Sequence, residues 1–72
     1  MIELNRLNGD PFLLNPVLIE QIQAHPDTTI TLLNGKKLVV KNDISEVAEK
    51  VMAFYKEAGI LGTVKEAGEV NE

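Results

Sequence analysis

Two corners of this chain carry the letters Leu-Asn-Gly, and the second constrains the fold more than any other stretch. From Thr28 to Lys41, TTITLLNGKKLVVK, alternating apolar and polar residues flank Asn34-Gly35, the signature of a β-hairpin. Two turn geometries compete, and side-chain facing separates them. A two-residue loop at Asn34-Gly35 pairs Ile30 with Val39 and Thr31 with Leu38, which scatters apolar groups over both faces. A three-residue loop, Leu33-Asn34-Gly35 with Gly35 left-handed, pairs Leu32 with Lys36, Ile30 with Leu38 and Thr28 with Val40. Ile30, Leu32, Leu38 and Val40 then share one face, while Thr29, Thr31, Lys37, Lys41 and Val39 point the other way. Because a one-residue slip inverts every side chain, this segregation selects the three-residue loop.

The start of the chain repeats the same logic. Applied to Leu7-Asn8-Gly9, the same loop pairs Arg6 with Asp10, Leu4 with Phe12 and Ile2 with Leu14, giving a second apolar face and opposite charges at the turn. Pro11 falls opposite Asn5 in a non-hydrogen-bonded pair, where its missing N–H points away from the first strand, so the second strand is expected at an edge. Asn15-Pro16 reads as a cap and a first-turn proline, with one short helical turn over Val17 to Glu20. Ile19 to Ala24 reads as a strand with Ile22 inward, and His25-Pro26-Asp27-Thr28 as a turn. From Asp43 the period changes: Ile44, Val47, Ala48, Val51, Phe54, Tyr55 and Ala58 recur at steps of three and four, which predicts an amphipathic helix ending at Gly59. Asp43 and Glu46 have capping-box spacing, and Glu46 precedes Lys50 by four. The fold class is therefore α+β. A small antiparallel sheet of four to five strands, built on two hairpins, carries one C-terminal helix over the face made by Ile2, Leu4, Phe12, Leu14, Ile30, Leu32, Leu38 and Val40. Residues 1–59 form the single domain, and 60–72 a flexible acidic tail without a sustained period.

Composition closes several routes to function. Zero cysteines exclude disulfides and thiolate metal sites and fit a reducing compartment. The N-terminus lacks the apolar run of a signal peptide, and no stretch reaches the length of a membrane span, so a cytoplasmic protein without membrane insertion is expected. Net charge is −4 with seven basic residues, which argues against a phosphate-backbone binder. Lys36, Lys37 and Lys41 form a small basic cluster, which equally serves to guard a strand edge. His25 is the one histidine, sits in a turn and has no Ser or Cys motif around it. Glu46, Glu49 and Glu57 have the spacing of a solvated helix face, and neither Asn-Gly corner has the glycine pattern of a phosphate loop. No enzyme, cofactor or metal site is expected from these residues.

One anomaly points toward function. In the registers above, Leu7, Leu13, Leu33 and Val39 all face away from the helix. Two readings of these residues stand open: an apolar binding or self-association surface, or a sheet that curls into a partial barrel and buries them itself. A chain of 72 residues has a thin core, which favours association with another copy or a partner.

The order of these features resembles the small flagellar proteins called FlbD or SwrD. The residues that carry the resemblance are Ile2-Glu3-Leu4-Asn5-Arg6-Leu7-Asn8-Gly9, Phe12-Leu13-Leu14-Asn15 and Leu18-Ile19-Glu20. It continues in Pro26-Asp27-Thr28-Thr29-Ile30-Thr31-Leu32, Asn34-Gly35-Lys36-Lys37, Val39-Val40 and Glu46-Val47. The resemblance implies a cytoplasmic, non-enzymatic accessory of flagellar motility, linked to swarming and to motor torque through the stator units, with no catalytic residues to transfer. A protein partner at the stator or basal body is expected. It would contact either the apolar outer face of Leu7, Leu13, Leu33 and Val39 or the polar end formed by Arg6, Asn8, Lys36 and Lys37. The alternative is a small β-rich nucleic-acid-binding regulator of flagellar gene expression, against which the acidic net charge argues.

Overall fold

The computed structural model describes residues 1–59. The expected tail, 60–72, lies outside the described residues. Among the described residues five strands precede one helix: β1 (Ile2–Asn5), β2 (Pro11–Leu14), β3 (Ile19–Gln23), β4 (Thr28–Leu32), β5 (Lys37–Val40) and α1 (Ile44–Ala58), with a 3-10 turn at Pro16–Leu18 between β2 and β3. Both hairpins have the register expected from side-chain facing. Ile2 pairs with Leu14 and Leu4 with Phe12, and Thr28 pairs with Val40 and Ile30 with Leu38. The two corners are built alike. Gly9 and Gly35 have φ of 96° and 89°, the left-handed region where a side chain costs free energy. Each donates its N–H 2.8 Å to the carbonyl of the last residue before its loop, Arg6 or Leu32. Asn8 Oδ1 accepts from Asp10 N–H at 2.9 Å, and Asn34 Oδ1 from Lys36 N–H at 3.0 Å. Each corner is thus closed by its own asparagine and glycine, which is why the same three letters recur.

The five strands do not form one sheet, and this corrects the expected four to five strands in a single layer. β1 and β2 make a two-stranded sheet, and β3, β4 and β5 a three-stranded one in that order. The sheets meet at an isolated antiparallel bridge between Arg6 and Val40, where Lys41 N–H donates to Asn5 C=O at 2.8 Å. The pairing stops there for a local reason. After Val40 the chain turns toward α1, and the Asn42 side chain, not a further stretch of strand, takes the next donor: its Oδ1 accepts from Asn5 N–H at 2.7 Å. No barrel closes among the described residues, because β2 and β3 remain edges. The position of β2 at an edge is what Pro11, opposite Asn5, requires. β3 carries a bulge between Ile19 and Gln21 and keeps Ile22 opposite Ile30.

The core gathers Ile2, Leu4 and Leu14 from the first sheet, Ile30, Leu32 and Val40 from the second and Val47 from the helix. Phe12, Ile19, Ile22, Leu38, Val51 and Phe54 pack half-buried around them. α1 lies chiefly against β1, so it does not roof all four hairpin strands evenly. Its buried stripe is narrower than its period suggests: Val47 is buried and Val51, Phe54 and Tyr55 half-buried, whereas Ile44, Ala48 and Ala58 are exposed. The helix stops at Gly59, φ 82°, whose N–H returns to the Lys56 carbonyl. The capping box is absent. Asp43 stands at the N-cap without a side-chain cap bond. Its Oδ2 accepts from Ser45 Oγ at 3.2 Å, and Glu46, expected to complete the box and to face Lys50, accepts from Asn42 Nδ2 at 3.1 Å. The Tyr55 hydroxyl donates to the Pro16 carbonyl at 3.2 Å and ties the second half of the helix to the 3-10 turn.

Candidate functional site

All eight residues singled out from the sequence are exposed. Among the apolar four, Leu7 is 56% exposed, Leu13 and Leu33 64% and Val39 41%. The alternation that buries Leu4, Ile30 and Val40 turns Leu13 and Val39 outward, since each lies one position out of phase with the core row of its strand. They do not form one continuous row, because they belong to different sheets. Leu13 stands opposite Glu3 on the first sheet, and Val39 opposite Thr29 on the second. Leu33 donates its backbone N–H to Leu18 C=O at 2.8 Å, which sets the second corner beside the exposed Leu18. Leu7 lines a 260 Å³ cavity between the first corner, the turn around Pro26 and the start of α1 at Ile44.

The polar four divide as well. The bridge places Arg6 beside Val40, at the end of β5 remote from Lys36. Four strand residues separate the two corners along β5, about 13 Å. Arg6 and Asn8 therefore lie at one end of the second sheet, and Lys36 and Lys37 at the other. The Arg6 guanidinium sits 4.5 Å from the centre of the Phe12 ring, a cation–π contact in place of the expected meeting with Asp10. Asn8 is used by its own corner, where Nδ2 donates to Asp10 Oδ2 at 3.3 Å. Lys36 and Lys37 extend freely into solvent from the second corner.

A polar cluster that the sequence reading missed lies at the junction of the sheets. Asn42 is 8% exposed. Besides accepting from Asn5 N–H, it donates through Nδ2 to Glu46 Oε2 and, at 3.4 Å, to Asn5 Oδ1. Asn5 Nδ2 in turn donates to Gly9 C=O at 3.2 Å. The Asn42 amide thus links β1, the end of β5 and the first turn of α1, and the Asn5 amide adds the first corner, beside a 420 Å³ open cavity lined by Asn5, Gly9, Lys41, Asn42 and Glu46. The available signal was the pair Asn42-Asp43, two residues that both favour an N-cap, of which the chain uses only the second as the cap. These amides satisfy one another, so the cluster is a fastening with its hydrogen-bonding capacity largely spent internally. Among the described residues no three His, Cys, Asp or Glu side chains gather as metal ligands, and no helix is long and apolar enough to cross a membrane.

Comparison with known proteins adds what geometry does not. The model of the family described as FlbD, flagellar and swarming motility proteins, matches residues 1–59. No curated protein and no solved structure matches the chain.

Proposed function

Since the chain belongs to the FlbD family of flagellar and swarming motility proteins, we propose that it supports motor torque and swarming as a non-enzymatic, cytoplasmic accessory that binds a protein of the stator or basal body. The observation that carries this reading is the exposure of Leu7, Leu13, Leu33 and Val39 on a scaffold whose corners and sheet junction are closed by their own hydrogen bonds. A rigid frame that holds large apolar side chains in water is suited to a partner that removes them from it, because little ordering remains to be done on binding.

The test replaces exposed residues without touching the core. Leu33→Glu and Val39→Glu, expressed in a strain lacking the native gene, are expected to fold normally by circular dichroism yet reduce swarm expansion and the torque of tethered cells. A central contact of this kind costs ~2 kcal/mol or more, roughly 30-fold in affinity. Charge reversal at Lys36 and Lys37 probes the second corner separately. If every folded variant swarms and turns its motor as the wild type does, the surface reading is wrong. Crosslinking from motile cells identifies the partner. Salt-sensitive, sub-micromolar gel shifts with flagellar transcripts or promoters would instead make the protein a nucleic-acid regulator.

A further inference from the structure

The hydrogen-bond parity of the first hairpin leaves the outer edge of β2 open, and that edge complements itself. Arg6 N–H donates to Asp10 C=O, so the pairs Arg6–Asp10, Leu4–Phe12 and Ile2–Leu14 turn their backbone groups toward each other. By alternation, the pairs Asn5–Pro11 and Glu3–Leu13 turn theirs outward. Asn5 checks this assignment: its C=O accepts from Lys41 and its N–H donates to Asn42, both outside the hairpin. On β2 the outward groups are then Pro11 C=O, Leu13 N–H and C=O, and Asn15 N–H, for Asn15 is still extended, with φ −83° and ψ 110°.

The geometry points to β2 as a self-pairing edge, on which a second copy of this chain adds its own β2 antiparallel about a two-fold axis at Leu13. In that register the two Leu13 residues exchange both of their outward hydrogen bonds, and each Asn15 N–H meets the Pro11 C=O of the other copy. The remaining carbonyl, that of Asn15, faces a proline with no N–H to offer. It loses nothing, because it already accepts from Leu18 N–H at 3.1 Å within its own chain. The proline that would spoil pairing with most strands therefore falls where no donor is needed. The side chains agree with the backbone: the exposed Leu13 would stand against its own copy, and Phe12 would stand beside Leu14 of the second copy on the core-facing side.

The other edges lack this fit. On β1, Asn5 is already bonded to Lys41 and Asn42; β3 is interrupted by its bulge at Glu20 and carries Gln21 and Gln23; β5 carries Lys37 and already meets Arg6 through the bridge. β2 reads Pro-Phe-Leu-Leu and has no charge to repel a neighbour. It also belongs to a sheet of only two strands, which gains most from becoming four.

Sedimentation of the full chain over micromolar to millimolar concentration, with amide exchange read by NMR at both ends, tests the pairing. A monomer–dimer equilibrium is expected, with the Leu13 and Asn15 amides protected only at the high end. Leu13→Lys, which sets two ammonium groups face to face across the two-fold, is expected to weaken dimerisation by at least about tenfold. Leu33→Lys, equally exposed but at the corner of the other sheet and outside the β2 edge, is expected to leave it unchanged. Circular dichroism at low concentration confirms that both variants are folded. A monomer at about 1 mM, fast exchange of Leu13 at every concentration, or equal effects of the two substitutions would overturn self-pairing. So would protection of Leu13 that appears only when a different protein is added. Motility plays no part in the readout, so the dimer and the binding role stand or fall separately.

Discussion

Replacing Asn42 by alanine removes a buried amide that three elements share, and its cost can be worked from the contacts. The truncation strips the Asn5 N–H of its acceptor at 2.7 Å in a part-buried setting, a loss of ~1–3 kcal/mol for an unsatisfied donor. It also removes the bond to Glu46, but that carboxylate is exposed and returns to water, so this adds only a few tenths of a kcal/mol. The long contact to Asn5 Oδ1 at 3.4 Å contributes little. A total of about 2 kcal/mol follows, against a stability of roughly 4–10 kcal/mol for a domain of this length. Urea unfolding is expected to show a midpoint shift at unchanged slope, and thermal melts a Tm lower by about 8–16 °C. Asn42→Asp keeps an acceptor for Asn5 N–H but sets a carboxylate beside that of Glu46, so it is expected to destabilise as well. The comparison with Asn8→Ala fixes the scale. Asn8 makes its bonds in the open at the first corner, and its removal is expected to cost less than half as much. A loss below about 0.5 kcal/mol for Asn42→Ala would refute the view that this amide fastens the two sheets.

Two further substitutions probe features of opposite sign. Gly35→Ala meets no atom within 4 Å, so its expected cost of ~1–2 kcal/mol comes from the left-handed backbone alone; a urea midpoint unchanged from wild type would contradict that. Thr31→Val is expected to stabilise by about 1 kcal/mol, because the Thr31 hydroxyl is buried without a hydrogen-bond partner and valine keeps its shape; a lower Tm would show that the hydroxyl has a partner in solution.

Much of the local architecture could be read from residues. Gly9 and Gly35 set the parity of both hairpins, and parity fixed which of Leu38 and Val39 turned inward. The step of three and four from Val47 to Phe54 located the helix and the side it buries. What could not be read was how the two hairpins meet. Alternation says which face a residue takes but carries no information on which edge finds which neighbour, and so a single sheet looked as good as two. The deciding group was an amide, Asn42, whose type suits a loop, a cap or a strand mimic equally well. The same limit applied to the candidate surface. Exposure of Leu7, Leu13, Leu33 and Val39 followed from phase, whereas the separation of Arg6 from Lys36 depended on the Arg6–Val40 bridge, a contact between residues distant in sequence.

The fastening of Asn5 by Asn42 spans 37 residues. At a synthesis rate of about 5–20 residues per second, Asn42 is therefore added about 1–6 s after Leu14 completes the first hairpin. A lone two-stranded hairpin is marginal in water, so the first hairpin waits, unlatched, for the segment just ahead of the helix. Of the two hairpins, the one made first is the one fastened later.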